Sequence, residues 1–140
     1  MTLFIFTDGG ARGNPGPAGI GVVVKDEKGT VIKKIGKRIG ETTNNVAEYS
    51  AVIEALTWLI ENKSNFQFSI FNFQFLLDSS LVVNQLNGLF KIKDSNLRNL
   101  VIKVRALENS LGGNISYKHI PREQNGLADE MVNKALDGLI

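Results

Sequence analysis

The sequence contains no cysteine and a single histidine, His119. Without thiols, disulfide scaffolds, thiolate zinc sites and thiol catalysis are excluded. With one imidazole, so are a His-rich metal site and any mechanism that needs two. Prolines number only three, and no linker, internal repeat or low-complexity tract interrupts the chain. No apolar run approaches the length of a membrane span. The N-terminus does not show a charged region, an apolar region and a cleavage site in succession. The expectation is a cytoplasmic protein with no membrane partner. Neither sign of charge dominates, since 16 Lys and Arg face 14 Asp and Glu for a formal +2.

What is present is ordinary globular composition: 43% hydrophobic and 21% charged residues in a chain of 140. That length suits one domain with a real core and leaves no room for two, so residues 1–140 are read as a single domain. Charge is informative mainly by its distribution. Residues 25–38 hold six basic side chains against two acidic ones. Lys91, Lys93, Arg98, Lys103 and Arg105 form a second basic cluster. Such clusters permit a polyanionic partner, and they are equally the ordinary solvated face of a soluble domain.

Hydrophobic periodicity predicts the elements. Residues 3–7 read as a strand buried on both faces, residues 8–17 as a Gly/Pro loop, and residues 19–25 and 31–39 as two further strands of an antiparallel meander. A helix follows to about residue 62, capped by Thr43, Asn44 or Asn45. The Phe-rich stretch 66–75 alternates in two runs whose phase flips at Ser69-Ile70, as at a bulge or a turn. It is read as core, with an association surface as the alternative. A short helix capped by Ser79 ends at Gly88. Leu97, Leu100, Val101, Val104, Leu107 and Leu111 give the cleanest helical spacing, over 95–111. A last strand (115–120) and a last helix (about 123–138) complete the order βββ-α-β-α-α-β-α. That order implies an α/β fold on a five-stranded mixed sheet, antiparallel over its first three strands and flanked by helices.

Several carboxylates stand where carboxylates are unusual. Asp8 and Asp78 each end an apolar strand, and groups outside strand ends line the ligand crevice of open α/β sheets; each alone could equally be a turn or cap residue. At about 100° per residue, Ser50, Glu54, Thr57 and Glu61 make the polar stripe of their helix. Glu48 falls on the opposite, apolar face with Val52, Ala55 and Leu59. An ionised carboxylate there is costly unless it is paired or binds a metal. The alternative is a first-turn position, where the helix dipole tolerates an acid. Asp129 lies on the border between apolar and polar faces of the last helix. Carboxylates converging without thiols suggest a hard-cation site for Mg²⁺ or Mn²⁺ rather than zinc. The Gly-rich segment lacks both the P-loop Lys-Ser/Thr and the G-x-G-x-x-G pattern, and it is followed by a strand. It therefore suits a tight loop beside Asp8 and close approach of a ligand rather than a nucleotide cofactor.

Four segments together resemble type 1 ribonuclease H, in the compact bacterial and archaeal form without a basic protrusion: FTDGGARGNPGPAGIGVVV, GETTNNVAEYSAVIEAL, LLDSSLVVNQLNG and KHIPREQNGLADEMVNKAL. The resemblance covers nearly the whole chain. It implies the ribonuclease H-like fold and hydrolysis of the RNA strand of RNA–DNA hybrids, leaving 5′-phosphate and 3′-hydroxyl ends. Two Mg²⁺ ions, or Mn²⁺, would act about 4 Å apart. By the same resemblance Asp8, Glu48, Asp78 and Asp129 are the metal ligands and, with the mobile His119, the catalytic set. Gly9, Gly10, Asn14, Thr43, Asn44, Asn45 and Ser79 are the expected substrate contacts, with Thr43 in a pocket for a DNA-strand phosphate. The hybrid is the expected partner, double-stranded RNA a further one, and the chain is expected to be a monomer. Two alternatives stand beside this: a non-catalytic hybrid- or double-stranded-RNA-binding module on the same fold, and the same chemistry on RNA duplexes or junctions. The sequence departs from larger relatives between Asp78 and His119, where no Lys/Trp-rich helix fits. Lys91, Lys93, Arg98 and Lys103 are the candidates to replace it. Ser80 stands where several relatives carry a longer polar residue.

Overall fold

In the computed structural model, which describes residues 1–65 and 71–140, the N-terminal strand β1 (Thr2–Ala11) occupies the middle of the sheet. It pairs antiparallel with β2 (Gly16–Lys25), which pairs antiparallel with β3 (Val31–Thr42). On its other side β1 runs parallel to β4 (Asn72–Leu77), and β4 runs parallel to β5 (Asn114–His119). The order is β3-β2-β1-β4-β5, a mixed sheet with the expected antiparallel first half. The helices are α1 (Asn44–Glu61), α2 (Ser80–Leu86), α3 (Ser95–Leu111) and α4 (Gly126–Leu136).

Alternation along the strands divides the core in two. Leu3 and Ile5 on β1 and Val22 and Val24 on β2 face α1 and α3, joining Tyr49, Val52, Leu56, Phe73 and Phe75 in the main cluster. Val23 points the other way, to Ala128 and Met131 of α4, with Phe6 beside them. Period-two side-chain geometry thus recruits helices to both faces. Caps fix the helix starts. The side chains of Thr43, Ser79 and Asp94 accept from the amides of Val46, Val82 and Leu97. Gly112, at φ 74°, ends α3.

Two expectations are corrected. Asp8, Gly9, Gly10 and Ala11 belong not to a loop but to β1, in register with Gly21, Ile20, Gly19 and Ala18. Here glycine serves packing rather than a turn. A Cβ on Gly9 would lie 2.2 Å from the Ala47 carbonyl oxygen, and one on Gly21 would lie 2.1 Å from that of Ala128. The two glycines let α1 and α4 lie directly on the sheet. The last helix is also shorter than expected. A 3₁₀ turn (Arg122–Gln124) precedes α4, and the break falls at Asn125, whose side chain is turned inward. In the Phe-rich stretch, Phe71, Phe73 and Phe75 are buried in the core. The first run and the phase flip at Ser69-Ile70 lie outside the described residues.

Candidate metal centre

Three secondary elements bring one carboxylate each to the C-terminal end of β4. Asp8 is in β1, Asp78 follows the last residue of β4, and Glu48 is the fifth residue of α1. Carboxylate oxygens of all three lie within 4.8 Å of one another. Val52, Ala55 and Leu59 are buried on the same face as Glu48, as the helical angles require. Glu48 also lies beyond the first turn of α1, so the helix-dipole alternative does not account for it.

Electrostatics in this cluster is unbalanced. Asp8 is 8% and Glu48 6% exposed. Burial, then the negative charge of Asp78, pushes the Asp8 carboxyl up to about 7, with Asp129 adding to the shift. Glu48 is raised well above the ordinary carboxylate range, first by burial and then by Asp8 and Asp78, while the Gly9 N–H pulls it partly back. Oε2 of Glu48 is buried without a hydrogen-bond partner. Among the described residues no Lys, Arg or amino group is ion-paired with Asp8, Glu48 or Asp78. An all-oxygen, convergent and unpaired donor set fits a hard divalent cation, which would replace lost hydration and cancel the repulsion. Asp129, on α4, is exposed and reaches the same cleft from the opposite face of the sheet.

That cleft has a volume of about 380 Å³. Of the residues expected to meet substrate, Gly9, Gly10, Asn44, Asn45 and Ser79 line it. Asn14 and Thr43 do not; they organise its rim. Asn14 Oδ1 accepts from the Asn44 amide at 3.0 Å, and Asn44 Oδ1 accepts from the Ala11 amide at 2.8 Å, tying the β1–β2 turn to the start of α1. His119 is exposed at the end of β5, in register with Leu77, the residue before Asp78, and is not part of the cleft lining. Two residues not singled out from sequence also belong here. Arg122 lines the cleft beside the acids; its place in the KHIPRE segment was the available signal. Asn125 is buried and bonded to Asp78 at 2.9 Å; the sequence pattern places it inside the last helix and offers no signal for this contact. Of the second basic cluster, Arg105 turns inward to Glu108 and the Leu86 carbonyl, while Lys91, Lys93, Arg98 and Lys103 are exposed.

Known proteins resemble the chain in sequence and in fold. Residues 6–135 match the family described as reverse transcriptase-like. A bifunctional protein of Mycobacterium tuberculosis is 38% identical over 138 residues, covering 98% of this chain and 36% of the relative. The Halobacterium salinarum protein named ribonuclease HI is 39% identical over 132 residues, 94% of this chain and 63% of the relative. The chain thus spans about a third of the mycobacterial relative and under two thirds of the halobacterial one. LC11-RNase H1, isolated from compost, has a solved structure with a TM-score of 0.91 and 45% identity, covering 99% of this chain and 97% of that one. The same protein is known in complex with an RNA/DNA hybrid, with a TM-score of 0.91 and 44% identity over 98% of both chains.

Proposed function

The chain belongs to the reverse transcriptase-like family, as a domain of the ribonuclease H type, and from that premise we propose that it is a metal-dependent endonuclease that hydrolyses the RNA strand of RNA–DNA hybrids. The observation that carries the proposal is the unpaired convergence of Asp8, Glu48 and Asp78 within 4.8 Å. Burying like charges so closely is costly, and among the described residues no basic side chain is ion-paired with them to offset it. The solved hybrid complex of LC11-RNase H1 supports the choice of substrate. Residues 1–140 would form a single catalytic domain, acting as a monomer on nucleic acid in the cytoplasm. Among the described residues no helix is long and apolar enough to cross a membrane.

Asp8 and Asp78 would hold the divalent cations jointly, with Glu48 completing one side near the substrate 2′-hydroxyl and Asp129 the other. Two Mg²⁺ or Mn²⁺ ions, when bound, supply positive charge at the scissile phosphate and a more acidic attacking water. Everything else falls to the chain. Asn44 and Asn45, together with the backbone of Gly9 and Gly10, line the floor on which the RNA strand would rest. The small residues there admit a sugar–phosphate backbone to the carboxylates. Contacts to the 2′-hydroxyl distinguish RNA from DNA. Arg122, which lines the cleft, would draw in the phosphate. His119, one strand away from Asp78, would shuttle a proton or assist product release from outside the cleft. Thr43, Asn14 and Ser79 would contribute substrate contacts while serving the caps and rim described above. The products would carry 5′-phosphate and 3′-hydroxyl ends.

The test is cleavage of end-labelled duplexes of one sequence as RNA–DNA hybrid, RNA duplex and DNA duplex, with Mg²⁺, Mn²⁺ or chelator. The expected result is metal-dependent cutting of the RNA strand of the hybrid alone, with DNA untouched. Tight hybrid binding without cutting in either metal would instead make the chain a binding module, and equal cutting of RNA duplex would widen the substrate class.

A further inference from the structure

Asn125 stands immediately before α4, where an Asn ordinarily accepts a bond from an amide of the first turn. It makes no such bond. Its side chain points into the protein, and the residue is 1% exposed. Nδ2 donates to the Thr7 carbonyl at 2.9 Å and to Asp78 Oδ2 at 2.9 Å. Oδ1 is buried without a partner. The capping role has been given up and a buried acceptor left unsatisfied, so that one amide nitrogen can serve two acceptors. Such an arrangement is not what packing alone selects.

The chemistry explains the residue type. A carbonyl and a carboxylate are both acceptors, and the primary amide of Asn offers two N–H groups on one atom without adding charge. Asp in its place would face both acceptors with a third negative group, and Ser could serve only one of them. The bonds also link the ligand-bearing elements. Thr7 precedes Asp8 on β1, Asp78 follows β4, and the Asn125 carbonyl accepts from the Asp129 amide at 3.1 Å, opening the helix that carries the fourth carboxylate.

We propose that Asn125 is a positioning residue of the metal centre, whose amide holds the Asp78 carboxylate toward Asp8 and Glu48 and so sets the affinity for divalent cations. This rests on the reading of the acidic cluster as a cation site. Asp78 is only half-buried, and Asp8 repels it. Without the amide, its side chain is free to turn toward solvent and away from the other two.

The experiment is titration of the protein with Mn²⁺ alone, followed by calorimetry and by the electron paramagnetic resonance of free Mn²⁺, for wild type, Asn125→Ala, Asn125→Ser and Asp78→Asn. Removing a group that orients a metal ligand typically weakens binding about ten- to hundred-fold. That loss is expected in Asn125→Ala, with a smaller one in Asn125→Ser, which keeps a single donor. In hybrid cleavage the Mn²⁺ midpoint should move by the same factor while KM for the hybrid stays put. A folded Asn125→Ala protein that binds Mn²⁺ within about twofold of wild type overturns the proposal. So does failure of both Asn125 variants to fold, which would make the residue purely structural. Wild type that binds no Mn²⁺, or Asp78→Asn that binds as well as wild type, would overturn the cation site itself and is read separately from the Asn125 variants.

Discussion

Two groups of half-buried or buried charge occupy this small domain, and they are built on opposite rules. Between α3 and β5, Arg105 Nη1 donates to both oxygens of Glu108 at 3.1 and 3.0 Å. The Tyr117 hydroxyl donates to Glu108 Oε2 at 2.6 Å, and Arg105 Nη2 donates to the Leu86 carbonyl. Burial and Glu108 together push the Tyr117 hydroxyl far up, so it stays a proton donor. Each polar group finds its complement, and the desolvation cost is offset locally. At the end of β4 the chain does the reverse. Asp8, Glu48 and Asp78 are three acids brought together with no base ion-paired to them among the described residues, and Glu48 leaves an oxygen unpartnered. The first cluster holds the fold together, whereas the second strains it and leaves room for a cation.

The sharpest way to break the comparison is Asp78→Asn. It should lower metal-dependent hybrid cleavage about a thousand-fold or more, some 4 kcal/mol of transition-state stabilisation. The same change should raise the melting temperature of the metal-free protein, because it removes one like charge. A variant that loses activity and stability together would mean that the acids hold the fold.

Gly9→Ala should come next. The new methyl would meet the backbone of Ala47 and Glu48. Pushing α1 off β1 should cost about 3 kcal/mol and separate Glu48 from Asp8. Melting curves, with cleavage assayed at a temperature where the variant stays folded, check both effects.

Stability of the metal-free protein should depend on pH in the sense opposite to that of a salt-bridged acid. A carboxyl raised from 3.8 to about 7 keeps in the folded chain a proton that the unfolded chain has already released. The penalty is therefore absent below the unfolded value, grows as pH rises and is complete above the folded value. The melting temperature should fall between about pH 4 and pH 7, by an amount on the order of a few kcal/mol in stability, and stay level above that. Adding Mg²⁺ or Mn²⁺ at pH 8 should restore much of it. A flat profile would mean that the acids are not buried together.

Glu108→Gln tests the other cluster and should have the smallest effect. It keeps an acceptor for Tyr117 but removes the ion pair with Arg105, for a loss of about 1–2 kcal/mol. Denaturation midpoints should drop a little, while cleavage per folded molecule stays at the wild-type level. A change in activity larger than the change in folded fraction would tie the two clusters together.

Much of the molecule was legible along the chain because its signals are local. The spacing of Leu97, Val104 and Leu111 marks α3, Ser79 marks a helix start, and the wrong-face position of Glu48 marks a residue with a purpose beyond packing. The misreadings share one cause. Gly9 and Gly10 read as loop because glycine usually frees the backbone. At Gly9 the missing side chain admits a helix against a strand, a reason that appears only when the Ala47 carbonyl oxygen is 2.2 Å from the missing Cβ. Asn125 falls inside the expected last helix (about 123–138) because its own segment offers nothing else for it to bind. Its partners, Thr7 and Asp78, are 118 and 47 residues away. Arg122 has the same non-local origin, entering the cleft from the turn before α4.

The sequence by itself determined which chemistry this protein can host. With no thiol and one imidazole, an oxygen-ligand site is what remains, and period and capping set the order of strands and helices. Tertiary structure alone decided that Asp8, Glu48 and Asp78 meet, how deeply they are buried and which amide orients Asp78. Local rules act over a few residues of chain. Burial, electrostatic coupling and shared hydrogen bonds depend on distances that exist only after β1, β4, α1 and α4 have packed together.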